Sequence, residues 1–168
     1  MPFDVRQNLR NFVFRFVPFG GNFDDFIRPF IADMKQFEKG ILMNIQGCDY
    51  WVIASLGCVT ADLPQGNDLA GVKRHGATKG CRTCSITKEN ATDENLDIAS
   101  ISRYHHITNI QFENIFAALT LTQQNEIAKE YGLQTKLPIF DQLQCERHLQ
   151  SPQDIYHLMA GRQNVKVA

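Results

Sequence analysis

The sequence predicts a mixed α/β fold, and three observations carry that reading. Apolar residues from Phe23 onward fall at positions 26, 27, 30, 31, 34 and 37, the spacing of one helix face. Two apolar, β-branched runs follow at residues 41–46 and 50–59, broken by Gly47-Cys48-Asp49. The last third then carries repeated helix-start signals.

Residues 1–17 alternate loosely, with Phe12, Phe14 and Phe16 on one side and Val13, Arg15 and Val17 on the other, which suggests a strand, though Arg6 and Arg10 could equally end a helix. Pro18-Phe19-Gly20-Gly21-Asn22 is a turn, since proline fixes φ and glycine permits positive φ. Asn22 can cap the helix that follows and Gly40 can end it, while Pro29 should kink that helix or mark its first turn. The two β-branched runs read as a hairpin whose second arm, 50–59, is apolar enough for a central strand. Asp62 can cap a short helix with Pro64 in its first turn and Gln65 three residues on, a capping-box arrangement. Thr108 with Gln111, and Thr120 with Gln123, can open two helices, the second ended by Tyr131-Gly132. Ser151-Pro152-Gln153-Asp154 signals another helix, running towards Gly161.

Composition excludes several classes. The 168 residues include no apolar stretch near the roughly 18 residues of a membrane span, and no basic-then-apolar leader is expected. Twelve Phe and one Trp demand burial, against low-complexity disorder. Seventeen Lys+Arg against 18 Asp+Glu argue against a surface that grips nucleic acid everywhere. The balance is nonetheless segregated. Between Asp68 and Glu89 stand Lys73, Arg74, Lys79, Arg82 and Lys88 with no acid, and an acidic loop at 89–97 follows. Five cysteines with one close pair do not form a secreted disulfide framework, so a reducing, intracellular setting is expected. Cys48, Cys58 and Cys145 read as buried thiols.

Cys81-Arg82-Thr83-Cys84 is different. Two intervening residues let both sulfurs face one tetrahedral ion, and Lys79 and Arg82 favour thiolates. Structural zinc leads over unmetallated thiols and a redox dithiol. It is half a site, to be completed from His75, His105, His106, His148 or His157. His75 reads first as a loop histidine. Of the adjacent His105 and His106, at most one can be a ligand. Asp154 and His157 share a helix face, and spacing alone favours a surface hydrogen bond. Asp62, at the end of an apolar run, is the best carboxylate for Mg²⁺, against a plain capping role.

The order Val59-Thr60-Ala61-Asp62-Leu63-Pro64, Gly71-Val72-Lys73-Arg74-His75-Gly76 and Gly80-Cys81-Arg82-Thr83-Cys84, then Asp154-Ile155-Tyr156-His157, resembles the middle of cut-and-paste transposases of the CACTA (En/Spm-like) and Kyakuja-Dileera-Zisupton groups. The resemblance spans roughly residues 15–162. It implies a partial RNase H-like core over 1–66 and a zinc-knuckle and helical insertion over 67–168. Asp62 then matches the second of three metal-binding carboxylates, Cys81, Cys84 and His157 match zinc ligands, and His75 matches a frequent His-Gly. Lys73, Arg74, Lys79 and Arg82 become DNA contacts, and a nuclear setting follows. The first carboxylate belongs to an earlier strand and the third past Ala168. The expectation is therefore a truncated fragment with a vestigial Asp62, catalytically inactive alone, with Mg²⁺ only in an intact parent. The competing expectation is a free-standing zinc-stabilised module that binds protein or nucleic acid. Neither expects a small-molecule substrate or a membrane partner.

Overall fold

A computed structural model describes residues 22–74 and 76–153. The strand expected within residues 1–17 and the helix expected to run to Gly161 lie outside them, as do His75, Asp154, His157 and the side chain of His148. The described residues form a mixed α/β fold, with helices packed around two apolar clusters and one two-stranded antiparallel hairpin. None of their helices is long and apolar enough to cross a membrane.

Helix α1 (Phe23–Lys39) starts where the side chain of Asn22 accepts from the Asp24 amide at 3.0 Å. Asp24 and Asp25 in its first turn and Lys39 in its last suit the helix dipole. The helix runs through Pro29, so this proline does not mark the first turn. An interior proline costs about 3 kcal/mol. The apolar face offsets it: Ile31 is buried, and Phe23, Ile27, Phe30 and Met34 pack around it against Leu69, Phe140 and Leu143.

The hairpin is tighter and shorter than the sequence suggests. Strands β1 (Ile41–Ile45) and β2 (Cys48–Val52) pair from Ile41↔Val52 to Ile45↔Cys48. Gln46 and Gly47 make the turn at φ 53° and 84°, the positive pair that a two-residue hairpin turn favours. The break therefore falls one residue earlier than expected, and Cys48 opens the second strand. No central strand forms over 50–59. The chain leaves the ribbon after Val52, and Leu56, Val59 and Ala61 pack onto the α1 cluster instead. Apolar character there signals burial against helices, not membership of a sheet. Leu42, Ile45, Tyr50 and Trp51 remain exposed on the ribbon, as does Ile53 just beyond it. Cys48 and Cys58 are exposed too, against the expectation of buried thiols: Cys48 stands on the exposed ribbon, and Cys58 is exposed although its neighbour Val59 packs onto the α1 cluster.

Helix α2 (Leu63–Leu69) is capped by Asp62, whose side chain accepts from the Gln65 amide at 2.8 Å. Leu69 joins the first helix's cluster, and the adjacent Ala70 joins a second, with Val72, Phe112, Ile115, Ala128 and Leu133. That second cluster is the seam between α3 (His105–Ala117) and α4 (Leu121–Tyr131). Helix α3 starts at His105, not at Thr108, whose side chain is buried within it. Helix α4 starts as expected, with Thr120 accepting from the Gln123 amide at 3.3 Å. It ends in a Schellman motif: Gly132, at φ 72°, donates to Lys129 O at 3.2 Å, and Leu133 donates to Ala128 O at 2.8 Å.

A 3₁₀ turn (Ile139–Gln142) packs against α1, and the short α5 (Arg147–Gln150) is tied to residues 56–59 through Gln150, whose carbonyl accepts from the Val59 amide at 2.7 Å. Arg147 is buried, ion-paired with Asp141, bonded to Asn109 at 2.7 Å and stacked over Phe112 at 5.2 Å. Lys35 donates to Gln142, Glu38 accepts from the Gln144 amide, and Lys136 pairs with Asp24, all at 2.8–2.9 Å. The α1 cluster thus unites residues on both sides of position 66, which itself lies inside α2.

Candidate metal centre

Three anchors position the Cys81–Cys84 knuckle. Buried Asn67 donates to Lys73 O at 2.9 Å and to Gly80 O at 2.8 Å, pinning both ends of the basic loop to α2. Residues 83–85 pair with 101–103: Ser85 donates to Ile101 O at 2.8 Å, Arg103 donates to Thr83 O at 2.9 Å, and Cys84 bridges Ser102. Gln153 donates to Thr83 Oγ1 at 3.1 Å and approaches Cys81 Sγ at 3.7 Å. The chain therefore passes the knuckle just before Asp154 and His157 follow in sequence.

The two sulfurs are 3.5 Å apart. A disulfide needs about 2.05 Å. Two thiolates at about 2.3 Å from a tetrahedral zinc lie roughly 3.8 Å apart, so the pair is near chelating geometry as it stands. Burial pushes the Cys84 thiol above its ordinary range, while a backbone hydrogen bond at Ile86 and the Arg103 charge pull it down. Amide donation to a knuckle sulfur is the local feature that stabilises a thiolate. Two donors are in place. Among the described residues no three His, Cys, Asp or Glu side chains converge; His75, His157 and the side chain of His148 lie outside them. A cavity of about 410 Å³ opens beside Cys81, lined by Leu63, Asn67, Thr83, Ile86 and Gln153.

The cations expected on the loop do not share one surface. Arg82 is buried, lies against Gly66 where any Cβ would meet its Nη1 at 1.4 Å, and donates to Pro152 O. It is not available to a phosphate backbone. Arg74 is ion-paired to Asp68 at 2.8 Å, which raises its pKa. Lys73 and Lys79 are partly exposed. Asp62 lies not at a strand end but at the exposed head of α2, as its cap. His105 and His106 open α3, where His106 stacks on Tyr104 at 5.9 Å. The acidic loop is exposed, as expected.

Sequence reasoning passed over Arg103. It is 5% exposed and donates to Cys81 O at 2.8 Å, Tyr131 O at 3.0 Å and Lys79 O at 3.1 Å. One side chain thus ties the knuckle to the end of α4. No local pattern could have shown it, since its three acceptors are backbone carbonyls distant in sequence. Comparison of the chain with protein-family models, curated proteins and solved structures gives no match.

Proposed function

We propose that Cys81 and Cys84 are two ligands of a structural zinc ion and that the protein is a zinc-stabilised interaction module without catalytic activity of its own. The observation that carries this reading is the thiol pair itself: two cysteines in Cys-x-x-Cys spacing, 3.5 Å apart, in a loop anchored to α2, to residues 101–103 and to Gln153. Zinc would hold this junction by joining the knuckle to a donor outside it, with His157 favoured because Gln153 already contacts Cys81. A redox dithiol is less well supported. The pair lies on a loop rather than at the first turn of a helix, where amides and the helix dipole would activate a redox nucleophile.

A protein partner suits the surface better than DNA. Arg82 is internal and Arg74 is paired, whereas the hairpin exposes Leu42, Ile45, Tyr50 and Trp51, with Ile53 just beyond it. Descent from a transposase with an RNase H-like core, and the nuclear setting it implies, is supported by motif order in the sequence. Asp62 as a helix cap is compatible with a vestigial carboxylate.

The test is metal content and stability of the 168-residue chain. About one equivalent of zinc is expected, lost in Cys81→Ser and Cys84→Ser, with a lower melting temperature in both variants and after chelation. Metal-free protein whose melting curve is unchanged by Cys81→Ser refutes the zinc reading.

A further inference from the structure

The cavity beside Cys81 is walled by apolar side chains that stand outside the core. Leu63 and Ile86 line it together with Ala77 and Ala91, and neither Leu63 nor Ile86 belongs to either of the two apolar clusters. Both are half-buried. At about 410 Å³ the space is large enough to be filled by a ligand or by several side chains. Gln153 stands on its wall, donating to Thr83 Oγ1 at 3.1 Å, and the carbonyl of Pro152 accepts from Arg82. The last two described residues therefore fasten the chain at the rim of this cavity. Residues 154–168 follow from that point.

We propose that this cavity is the seat of the chain's own residues 155–159, whose apolar side chains close it over the knuckle. Ile155, Leu158 and Met159 fall at i, i+3 and i+4, the spacing of one helix face, after the helix-start signal at Ser151-Pro152. Ile155 is two residues beyond Gln153, and so within about 7 Å of it even at full extension. Tethering decides the occupant. A segment joined this closely meets the cavity at an effective concentration on the order of millimolar, which a free apolar ligand must exceed. Covering Leu63 and Ile86 with Ile155 and Leu158 removes apolar surface from water on both sides of the contact. The cavity is then a joint internal to the fold and not a substrate pocket. The proposal does not rest on zinc, and His157 stays unaltered in every variant that tests it.

The first test is photo-crosslinking in the 168-residue chain, with p-benzoylphenylalanine replacing Leu158 in one sample and Gln163 in another. From position 158, crosslinks to Leu63, Ile86 or Ala91 of the same chain are expected by mass spectrometry, and position 163 should not give them. Crosslinks from position 158 that join two chains would make a second copy the occupant and overturn the proposal. Crosslinks that miss the cavity wall, or the same pattern from position 163, overturn it too. Melting of Ile86→Ala, Leu158→Ala and the double variant is the second test. Each single substitution is expected to lower the melting temperature by roughly 4–10 °C. The double variant should fall short of the summed shifts by at least about 2 °C, because the two side chains share one contact. Shifts that add to within about 2 °C overturn the proposal. If Ile86→Ala does not fold, the crosslinks alone decide.

Discussion

Gly132 is where the end of α4 meets the knuckle strand, and replacing it tests how closely they must approach. A Cβ at this position would meet Lys79 O at 2.3 Å, Lys79 Cβ at 2.7 Å and Arg103 Nη2 at 2.9 Å. The residue also sits at φ 72°. Gly132→Ala thus carries two penalties. The left-handed conformation costs an L-residue about 1–2 kcal/mol. Relieving the contact must move Lys79 O away from Arg103 Nη2, now 3.1 Å away, and a hydrogen bond to a charged donor contributes about 1.5–3 kcal/mol. Their sum, about 2.5–5 kcal/mol, is a large part of the roughly 5–15 kcal/mol that holds a domain together. Asparagine tolerates the left-handed region but keeps the Cβ, so Gly132→Asn should recover the conformational part alone and still lose about 1.5–3 kcal/mol. Urea unfolding followed by circular dichroism gives both numbers. A loss below about 1 kcal/mol in Gly132→Ala, or full recovery in Gly132→Asn, would show that the backbones do not meet as described.

Asp62→Ala should cost about 1 kcal/mol through loss of the α2 cap, with Asp62→Asn close to wild type, as denaturant midpoints would show. An effect of Asp62→Asn as large as that of Asp62→Ala would mean that the charge, not the cap, matters there. Cys145 gives a pH signature. Burial, then the charge of Asp141, pushes its thiol up from 9.0 to about 11. The fold therefore favours the protonated form, and the unfolded chain ionises first as pH rises. This contribution is intact below pH 9 and declines between about 9 and 11. The stability advantage of wild type over Cys145→Ala should shrink across that window; a constant difference from pH 8 to 11 would contradict the burial described for this thiol.

What the sequence disclosed was mostly local. The caps at Asn22, Asp62 and Thr120 and the stop at Gly132 each depend on a side chain meeting a backbone group a few residues away, and all four appear in the structure. The apolar run after Tyr50 misled because periodicity reports burial without naming the partner. Leu56 and Val59 do pack, but against α1 rather than in a sheet. Thr108-x-x-Gln111 carries a cap-like pattern, yet the chain leaves its pairing with residues 83–85 early enough for the helix to begin at His105. At the candidate site the spacing of Cys81 and Cys84 was legible. The fate of the charges was not. Arg82 counts as a surface cation in any tally of basic residues, and only the close passage over Gly66 shows that it points inward. Arg103 was invisible for the same reason: the groups that hold it are carbonyls, which every residue has.

The ties between α1 and the end of the chain bear on synthesis. Lys35 and Gln142, Glu38 and Gln144, and Asp24 and Lys136 are separated by 107, 106 and 112 residues. At about 5–20 residues per second, a ribosome takes roughly 5–20 s to deliver the second member of each pair after the first. Through that interval the nascent α1 carries Phe30, Ile31 and Met34 without Phe140 and Leu143 to cover them. The knuckle, by contrast, draws on Asn67, Cys81, Cys84 and Arg103, all translated within a far shorter span. The order of emergence from the exit tunnel therefore lets the contacts of the knuckle with Asn67 and Arg103 form while the first helix is still waiting for its far partners, whereas Pro152 and Gln153 reach the knuckle last of all.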